Sequence, residues 1–430
     1  MNTGPSIPTL PEGIASEDVS RQVLPCLLDI GEAMIIAGGD VGLVEKLLRR
    51  VGYAYGAAKM NVLVITASII ITMTMPDGLE HTQTRRVEAA VETDFHKLEK
   101  LFRLCRTCTR APLAPRILKE RFAAIKAEPS SRAALYAGGV LGAASFAIFF
   151  GGSWVDAAMS ALFAVFVCFL MERLRPLIAN TIVFNFIASL VSGVLIAVAS
   201  RLVLAMSPGM VTIGVIMLLI PGIPMTNAIR DMINGDTISG IMRFVESLLW
   251  ATSLALGFMV AMWLFGISQP SVISNASPTV QIVSALPATL GFALFFNVRR
   301  QLLAPATLGG VLTEGLYLLL YLSGSWDGAF IPMLIAAGFA AVYAEVLSHY
   351  LTMPTSVFFI IAVIPLVPGR GLYYTMQSAV QQNWEACAQF GGNTVEFALG
   401  IAIGIIIVWS FVQTRRNVKA YRQRRSAPGA

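Results

Sequence analysis

Charge is what this sequence has least of. Asp, Glu, Lys and Arg make up 13% of its 430 residues, and 56% are hydrophobic, against about 25% charged in an ordinary soluble domain. A chain this poor in charge cannot cover a water-facing surface, so a wholly soluble globular protein is excluded. Disorder and a coiled coil need the opposite composition and are excluded too. Cysteine is scarce: Cys26, Cys105, Cys108, Cys168 and Cys387 are too few and too scattered for a disulfide framework. Cys105-Arg-Thr-Cys108 has the spacing of half a zinc site, but four ligands are needed and no second pair exists. Two partly buried thiols one helical turn apart account for it better. His81, His96 and His349 assemble no recognisable ligand set, and no metal or cofactor is expected. No phosphate-binding loop, HExxH or nucleophile elbow occurs, so an ATP-driven pump would have to borrow its motor from another polypeptide. Residues 1–20 lack the apolar core of a cleavable signal and read as a flexible leader.

What is present is a succession of apolar runs, each long enough to cross about 30 Å of hydrocarbon. They predict ten transmembrane helices near 133–151, 154–171, 177–200, 209–224, 243–266, 279–297, 302–323, 327–347, 354–368 and 394–412. Of 31 Lys and Arg, 17 lie before the first run, through Arg132, and 6 after the last, from Arg415 to Arg425. The charges therefore flank a membrane part and form no groove for nucleic acid. With both termini cytoplasmic, the short inner loops carry Arg173, Arg175, Arg230, Arg243, Arg299 and Arg300, and the outer loops only Arg201 and Arg370, as the positive-inside rule requires.

Ahead of the membrane part, residues 21–130 read as a cytosolic α/β domain. Val19, Val23, Leu27, Ile30 and Met34 recur at helical spacing before the stop at Gly38-Gly39, and a second helix covers Val41 to Ala57. A β-branched run from Val62 to Met75, Pro76-Asp77-Gly78, and a run from Leu79 to Val87 predict a hairpin. Helices near 94–107 and 115–127 follow.

The two halves of the membrane part echo each other. Phe146-Ala-Ile-Phe-Phe150 returns as Phe292-Ala-Leu-Phe-Phe296, Ile220-Pro-Gly-Ile-Pro224 as Ile364-Pro-Leu-Val-Pro368, and Val245-Glu246 as Val395-Glu396, at offsets of 146, 144 and 150 residues. Five is odd, so the second copy must be inverted. The expected fold is a polytopic α-helical membrane protein of about ten helices in two inverted five-helix repeats, 131–268 and 275–413, with a basic cytoplasmic tail at 414–430. Such repeats with matching broken helices are a transporter architecture.

The Pro221/Pro224 and Pro365/Pro368 pairs should each break a helix, which lipid tolerates only where the freed carbonyls face protein or a wet cavity. The plainer alternative is that the prolines merely end two spans near the interface. After the first pair, Asn227, Arg230, Asp231 and Asn234 share one helix face. Arg230 could pair with a substrate carboxylate, and Asp231 or Asp236 with an amine or a proton, unless the segment is an ordinary solvated loop. Acids inside spans are costly and are functional candidates. Glu314 is the deep one; Glu246, Glu345 and Glu396 sit nearer span ends. Asn180, Asn185, Ser189 and Ser192 in the third span tie helices together or bind substrate.

These residues resemble the threonine/serine exporter family, secondary transporters with a cytosolic N-terminal domain and ten spans. The likeness runs from about Ser20 to Val412. It is carried by Leu219–Asp236, by Ile364-Pro-Leu-Val-Pro-Gly369 with Tyr373, by Phe150-Gly-Gly-Ser-Trp154 and by Gly291–Asn297. Ala37-Gly38, Val44-Glu45 and Arg85-Arg86-Val87 carry it in the N-terminal domain, although Gly42 and Leu43 stand where the family has an aromatic residue and an arginine. The resemblance implies efflux of small hydroxy amino acids across the plasma membrane, driven by the proton motive force. Some relatives, split at the repeat boundary, are linked instead to a dicarboxylate such as succinate, for which Arg370 would be the second cation. A membrane-anchored enzyme is a third reading, for which the N-terminal domain offers no nucleophile–base pair.

The expected substrate site is Asn185, Pro221, Gly222, Pro224, Thr226, Asn227, Arg230, Asp231, Asn234, Pro365, Pro368, Gly369 and Tyr373, with Glu314 and Asp236 handling the proton. Arg230 would hold the carboxylate, with Asn227 and Asp231 reading the amine and hydroxyl. The partners expected are a small amino-acid substrate and the lipid bilayer, with room for a homo-oligomer.

Overall fold

The structure is a computed structural model that describes residues 16–425 except 66, 88–91, 179, 267–275 and 327. The chain divides into two compact units. The first comprises residues up to Ser130, Asn227–Arg243 and the chain from Trp409; the second comprises Ser131–Thr226 and Phe244–Val408. Most of the expected leader, and the expected junction near 268–275, lie outside the described residues.

In the first unit, α1 (Ser16–Ile36) starts inside the stretch expected to be leader. It buries Val23, Leu24, Leu27, Ile30 and Met34, the stripe its spacing predicts. It stops at Gly38, whose φ of 93° is natural only for glycine. Asp40 then caps α2 (Val41–Ala54), accepting from the Leu43 N–H at 2.8 Å.

The sheet is a three-stranded antiparallel meander, β1 (Lys59–Ile65), β2 (Ser68–Thr74) and β3 (Glu80–Arg86), not the single hairpin expected. The long β-branched run folds back on itself, pairing Ile65 with Ser68. No Gly, Pro or Asn marks that reversal, whereas Pro76-Asp77-Gly78 does mark the second one. Alternate residues Met60, Val62 and Val64 of β1 and Ile69, Ile71 and Met73 of β2 are buried. Gly31 lets α1 pass close to both α2 and the sheet: a Cβ there would lie 2.9 Å from Leu48 Cδ1 and 3.1 Å from Ile69 Cδ1. Two helices complete the domain, α3 (Phe95–Arg110), capped by Asp94, and α4 (Pro115–Ala127). Cys105 and Cys108 are both buried in α3. Burial pushes the Cys105 and Cys108 thiols up, and that of Cys26 up to about 12, so all three are unreactive packing groups.

The rest of the chain is helical: α5 (Arg132–Phe149), α6 (Trp154–Arg173), α7 (Thr181–Leu202), α8 (Pro208–Ile216), α9 (Gly222–Asn234), α10 (Thr237–Leu264), α11 (Pro278–Phe295), α12 (Arg300–Leu322), α13 (Phe330–Leu351), α14 (Thr355–Val363), α15 (Gly369–Val380) and α16 (Trp384–Arg425). Among the described residues, eight of these are long and apolar enough to cross a membrane, or nine if α14 and α15, bent by 47°, form one span. The chain is therefore a polytopic helical membrane protein. The count falls short of ten because the expected spans 209–224 and 354–368 begin as nine-residue helices, α8 and α14. Nine residues rise only about 13.5 Å, and the proline pairs end each run early.

In the second unit, α5 and α11 pack most closely. A Cβ on Gly138 would lie 2.6 Å from the Gly291 carbonyl, and one on Gly291 would lie 2.7 Å from Gly142 Cα. Small residues bring the two backbones together, as they do in membranes generally. Phe146 and Phe292 then meet edge to face with centroids 5.5 Å apart. The pairings α5–α6, α6–α8 and α5–α8 recur as α11–α12, α12–α14 and α11–α14. Gly257 serves the α7–α10 contact similarly: a Cβ there would lie 2.6 Å from the Phe186 carbonyl and would overlap Ser189.

Gly291→Ala should therefore destabilise the protein by about 1–3 kcal/mol through overpacking. Gly315→Ala on α12, where a Cβ meets no described atom within 4 Å, should be neutral or stabilising by up to about 1 kcal/mol. Thermal melting in detergent checks both.

Candidate functional site

The proline pairs break the backbone in related but unequal ways. At the first, α8 ends in a tight turn, with Leu219 N–H donating to Ile216 O at 2.9 Å. Gly222 N–H reaches over Pro221 to Ile220 O at 2.8 Å, and α9 starts there, so Pro224 falls within its first turn, where proline is tolerated. At the second, α14 tightens into a 3-10 turn, Ile364–Leu366. Gly369 N–H reaches over Pro368 to Val367 O at 2.7 Å, and α15 starts there. The chain thus restarts after the first proline of one pair and after the second proline of the other.

The two breaks lie against each other in the second unit. A Cβ on Gly369 would stand 2.6 Å from Met217 Sδ and 2.7 Å from Ile220 Cδ1, so a side chain there would have to displace both. Beside it is a cavity of about 30 Å³ lined by Gly222, Ile223 and Thr226 from the first break, Val363 and Val367 from the second, and Phe292 and Phe296 of α11. That is room for about two waters and none for an amino acid; the two breaks pack against each other. Gly222 and Thr226 of the expected site line this cavity, and Gly369 holds its edge.

Tyr373, one turn along α15, is buried and donates to Met262 Sδ at 3.3 Å. Arg370 lies over the Phe150 ring, its guanidinium carbon 5.5 Å from the centroid. Glu314 is 2% exposed, and Tyr317 of its helix is within electrostatic reach of Glu314, Arg370 and Glu396. Glu396 is occupied structurally. Its Oε1 accepts from Ala329 N–H at 3.0 Å and Phe330 N–H at 2.9 Å, capping α13. Asn185 is buried on α7 with its Nδ2 lacking a hydrogen-bond partner among the described residues.

The polar face of α9 belongs to the first unit, where every described side chain of the expected set is engaged. Asn227 Nδ2 donates to the Gly38 carbonyl at 3.1 Å. Arg230 pairs with Asp40 Oδ2 at 3.1 Å, and its guanidinium carbon lies 4.4 Å from the centre of the Trp409 ring. Asp231 Oδ1 accepts from the Val41 N–H at 3.2 Å, and its Oδ2 is 3.4 Å from Arg243. The Asn234 side chain lies outside the described residues. Asp236 sits half-buried between α9 and α10. The segment is therefore not a solvated loop. Sequence reasoning missed Asp40 and Trp409. Asp40 could have been found only as a helix cap, and Trp409 reads simply as part of a span.

Burial pushes the Asp231 carboxyl up to about 7; Arg243 opposes the rise, and Asp40 and Asp236 add to it. Burial raises Glu45 and Asp236 as well, the latter helped by Asp40. Asp40 and Asp231 thus pair with Arg230 and Arg243 at the start of α2 and the start of α10.

Two family models match the chain, "Putative threonine/serine exporter" over residues 26–265 and "Threonine/Serine exporter, ThrE" over 281–411. The chain belongs to the threonine/serine exporter family. Its match to a "Threonine/serine exporter" of Corynebacterium glutamicum is 22% identical over 425 residues, covering 93% of this chain and 85% of that protein. A "Probable succinate transporter subunit YjjP" of Klebsiella aerogenes is 26% identical over 255 residues, 58% of this chain and 95% of its own length. Its Escherichia coli namesake is 25% identical over 57% of this chain and 96% of its own. No solved structure matches the chain. In this family member both broken helices and the whole polar segment lie within the matched regions.

A carboxyl held near 7 in the fold and near 3.8 unfolded contributes stability that is complete below the lower value and lost as pH rises through the higher one. Melting temperature should therefore fall between about pH 4 and 7 in the wild type, and Asp231→Asn should flatten that slope.

Proposed function

We propose that the chain is a secondary transporter that exports threonine and serine across the plasma membrane, driven by the proton motive force. In this reading two inverted five-helix repeats, 131–268 and 275–413, meet at the broken helices, and the α/β domain and both termini are cytoplasmic. The observation that carries it is the abutment of the two breaks at Gly369 and Met217 beside a small cavity. Two helices, α9 and α15, begin there, and helix N-termini attract an anionic group such as a carboxylate. The recurrence of the helix pairings in the two halves, and of the Phe146 and Phe292 clusters, supports the repeat. A pathway closed between the breaks is one of the states through which alternating access must pass.

The roles follow from chemistry. Arg230 takes the substrate carboxylate when it leaves Asp40, Asn227 and Asp231 read the hydroxyl and amine, and Glu314 and Asp236 pass the proton. Asn185, with an amide nitrogen that finds no partner among the described residues, Tyr373, Pro221, Pro224, Pro365 and Pro368 are members of the proposed set in the second unit.

A dicarboxylate such as succinate is the second reading. It is favoured by Arg370, half-buried in the first turn of α15 at the second break, and by the relatives whose name mentions succinate.

Proteoliposomes loaded with labelled threonine, serine or succinate decide between the two. Threonine or serine efflux that rises with an imposed pH gradient, and falls about ten- to a hundredfold in Arg230→Ala, the worth of a charge-assisted hydrogen bond, supports the first reading. Succinate efflux alone moves the substrate to the second, and threonine efflux unchanged in Arg230→Ala removes that arginine from the site.

A further inference from the structure

Asn227, Arg230 and Asp231, the three residues of α9 proposed to bind substrate, are all occupied by one short loop of the same unit. We propose that the loop Gly38–Val41 is an internal stand-in for the substrate, filling the polar face of α9 until a small hydroxy amino acid displaces it. The inference rests on the proposed substrate role of Arg230.

The match is group by group. Asp40 brings a carboxylate to Arg230 at 3.1 Å, where a substrate carboxylate would bind. The Val41 N–H donates to Asp231 at 3.2 Å, as a substrate ammonium would. The Gly38 carbonyl oxygen accepts from the Asn227 amide at 3.1 Å, in the place of a substrate hydroxyl oxygen. A carboxylate, a nitrogen donor and an oxygen acceptor within four residues are the polar inventory of threonine or serine.

Two features set the contact apart from a plain anchor. It is ionic and buried, with Arg230 15% and Asp40 3% exposed. A buried ion pair is a poor way to gain stability, because apolar residues of similar volume hold as well or better. And the fit is incomplete: Asn227 Oδ1 is buried without a hydrogen-bond partner among the described residues, an acceptor that one loop N–H leaves unmet and that an ammonium, with three donors, can reach. The loop is a weaker ligand than the molecule it imitates.

A competing internal ligand lowers apparent affinity by the fraction of chains in which it has let go. Asp40→Asn and Asp40→Ser remove the competing charge but keep a side chain able to cap α2. Labelled threonine binding to the purified full-length chain in detergent should tighten about three- to tenfold in both variants, and should be lost in Arg230→Ala. In the wild type, saturating threonine should speed hydrogen exchange across residues 38–43. Unchanged or weaker binding in both Asp40 variants, or exchange that threonine leaves unchanged or slows, overturns the stand-in while the substrate site survives. Wild-type binding in Arg230→Ala overturns the substrate site itself, and the stand-in with it.

Discussion

Backbone hydrogen bonding in a medium without water is the constraint on which the membrane unit depends. Four prolines, at 221, 224, 365 and 368, remove donors from two helices, and every carbonyl they release must find protein around it. The unit meets this by closing the breaks with short local turns at Ile216–Gly222 and Ile364–Gly369 and by pressing one break against the other. A side chain at Gly369 would have to push Met217 and Ile220 aside. The neighbouring α5–α11 crossing, equally tight at Gly138, Gly142 and Gly291, brings Phe292 to the cavity wall. Small residues and interrupted helices are thus two sides of one packing solution.

The first unit meets a different demand. It holds Arg230 and Arg243 against Asp40 and Asp231, all four largely buried, and satisfies them by mutual pairing and by backbone groups of a single loop. The most buried of its acids, Asp231, is the one whose carboxyl burial pushes up to about 7. The proton and the loop therefore act on the same helix face.

Much of this was readable from the residues. The stripe Val23–Met34, the stop at Gly38 and the Pro-broken helices follow from local periodicity and from proline's missing donor, and the structure has them. The β1–β2 reversal escaped because nothing at Ala67-Ser68 marks a turn. The two nine-residue helices escaped because hydropathy counts apolar residues without asking how many share one axis. The partners of Arg230 escaped for a deeper reason. Asp40 and Trp409 are 190 and 179 positions away along the chain, and a buried charge does not announce in sequence which opposite charge will find it. Glu396 shows the converse: an acid that pattern made a functional candidate spends its oxygen on the start of α13.

The two oxygens of Asp40 are divided, Oδ1 holding the first turn of α2 and Oδ2 holding Arg230. One carboxylate thus serves both the start of a helix and the hold on α9. Asn, Ser or Thr at this position would keep the helix start and surrender the ionic hold on Arg230.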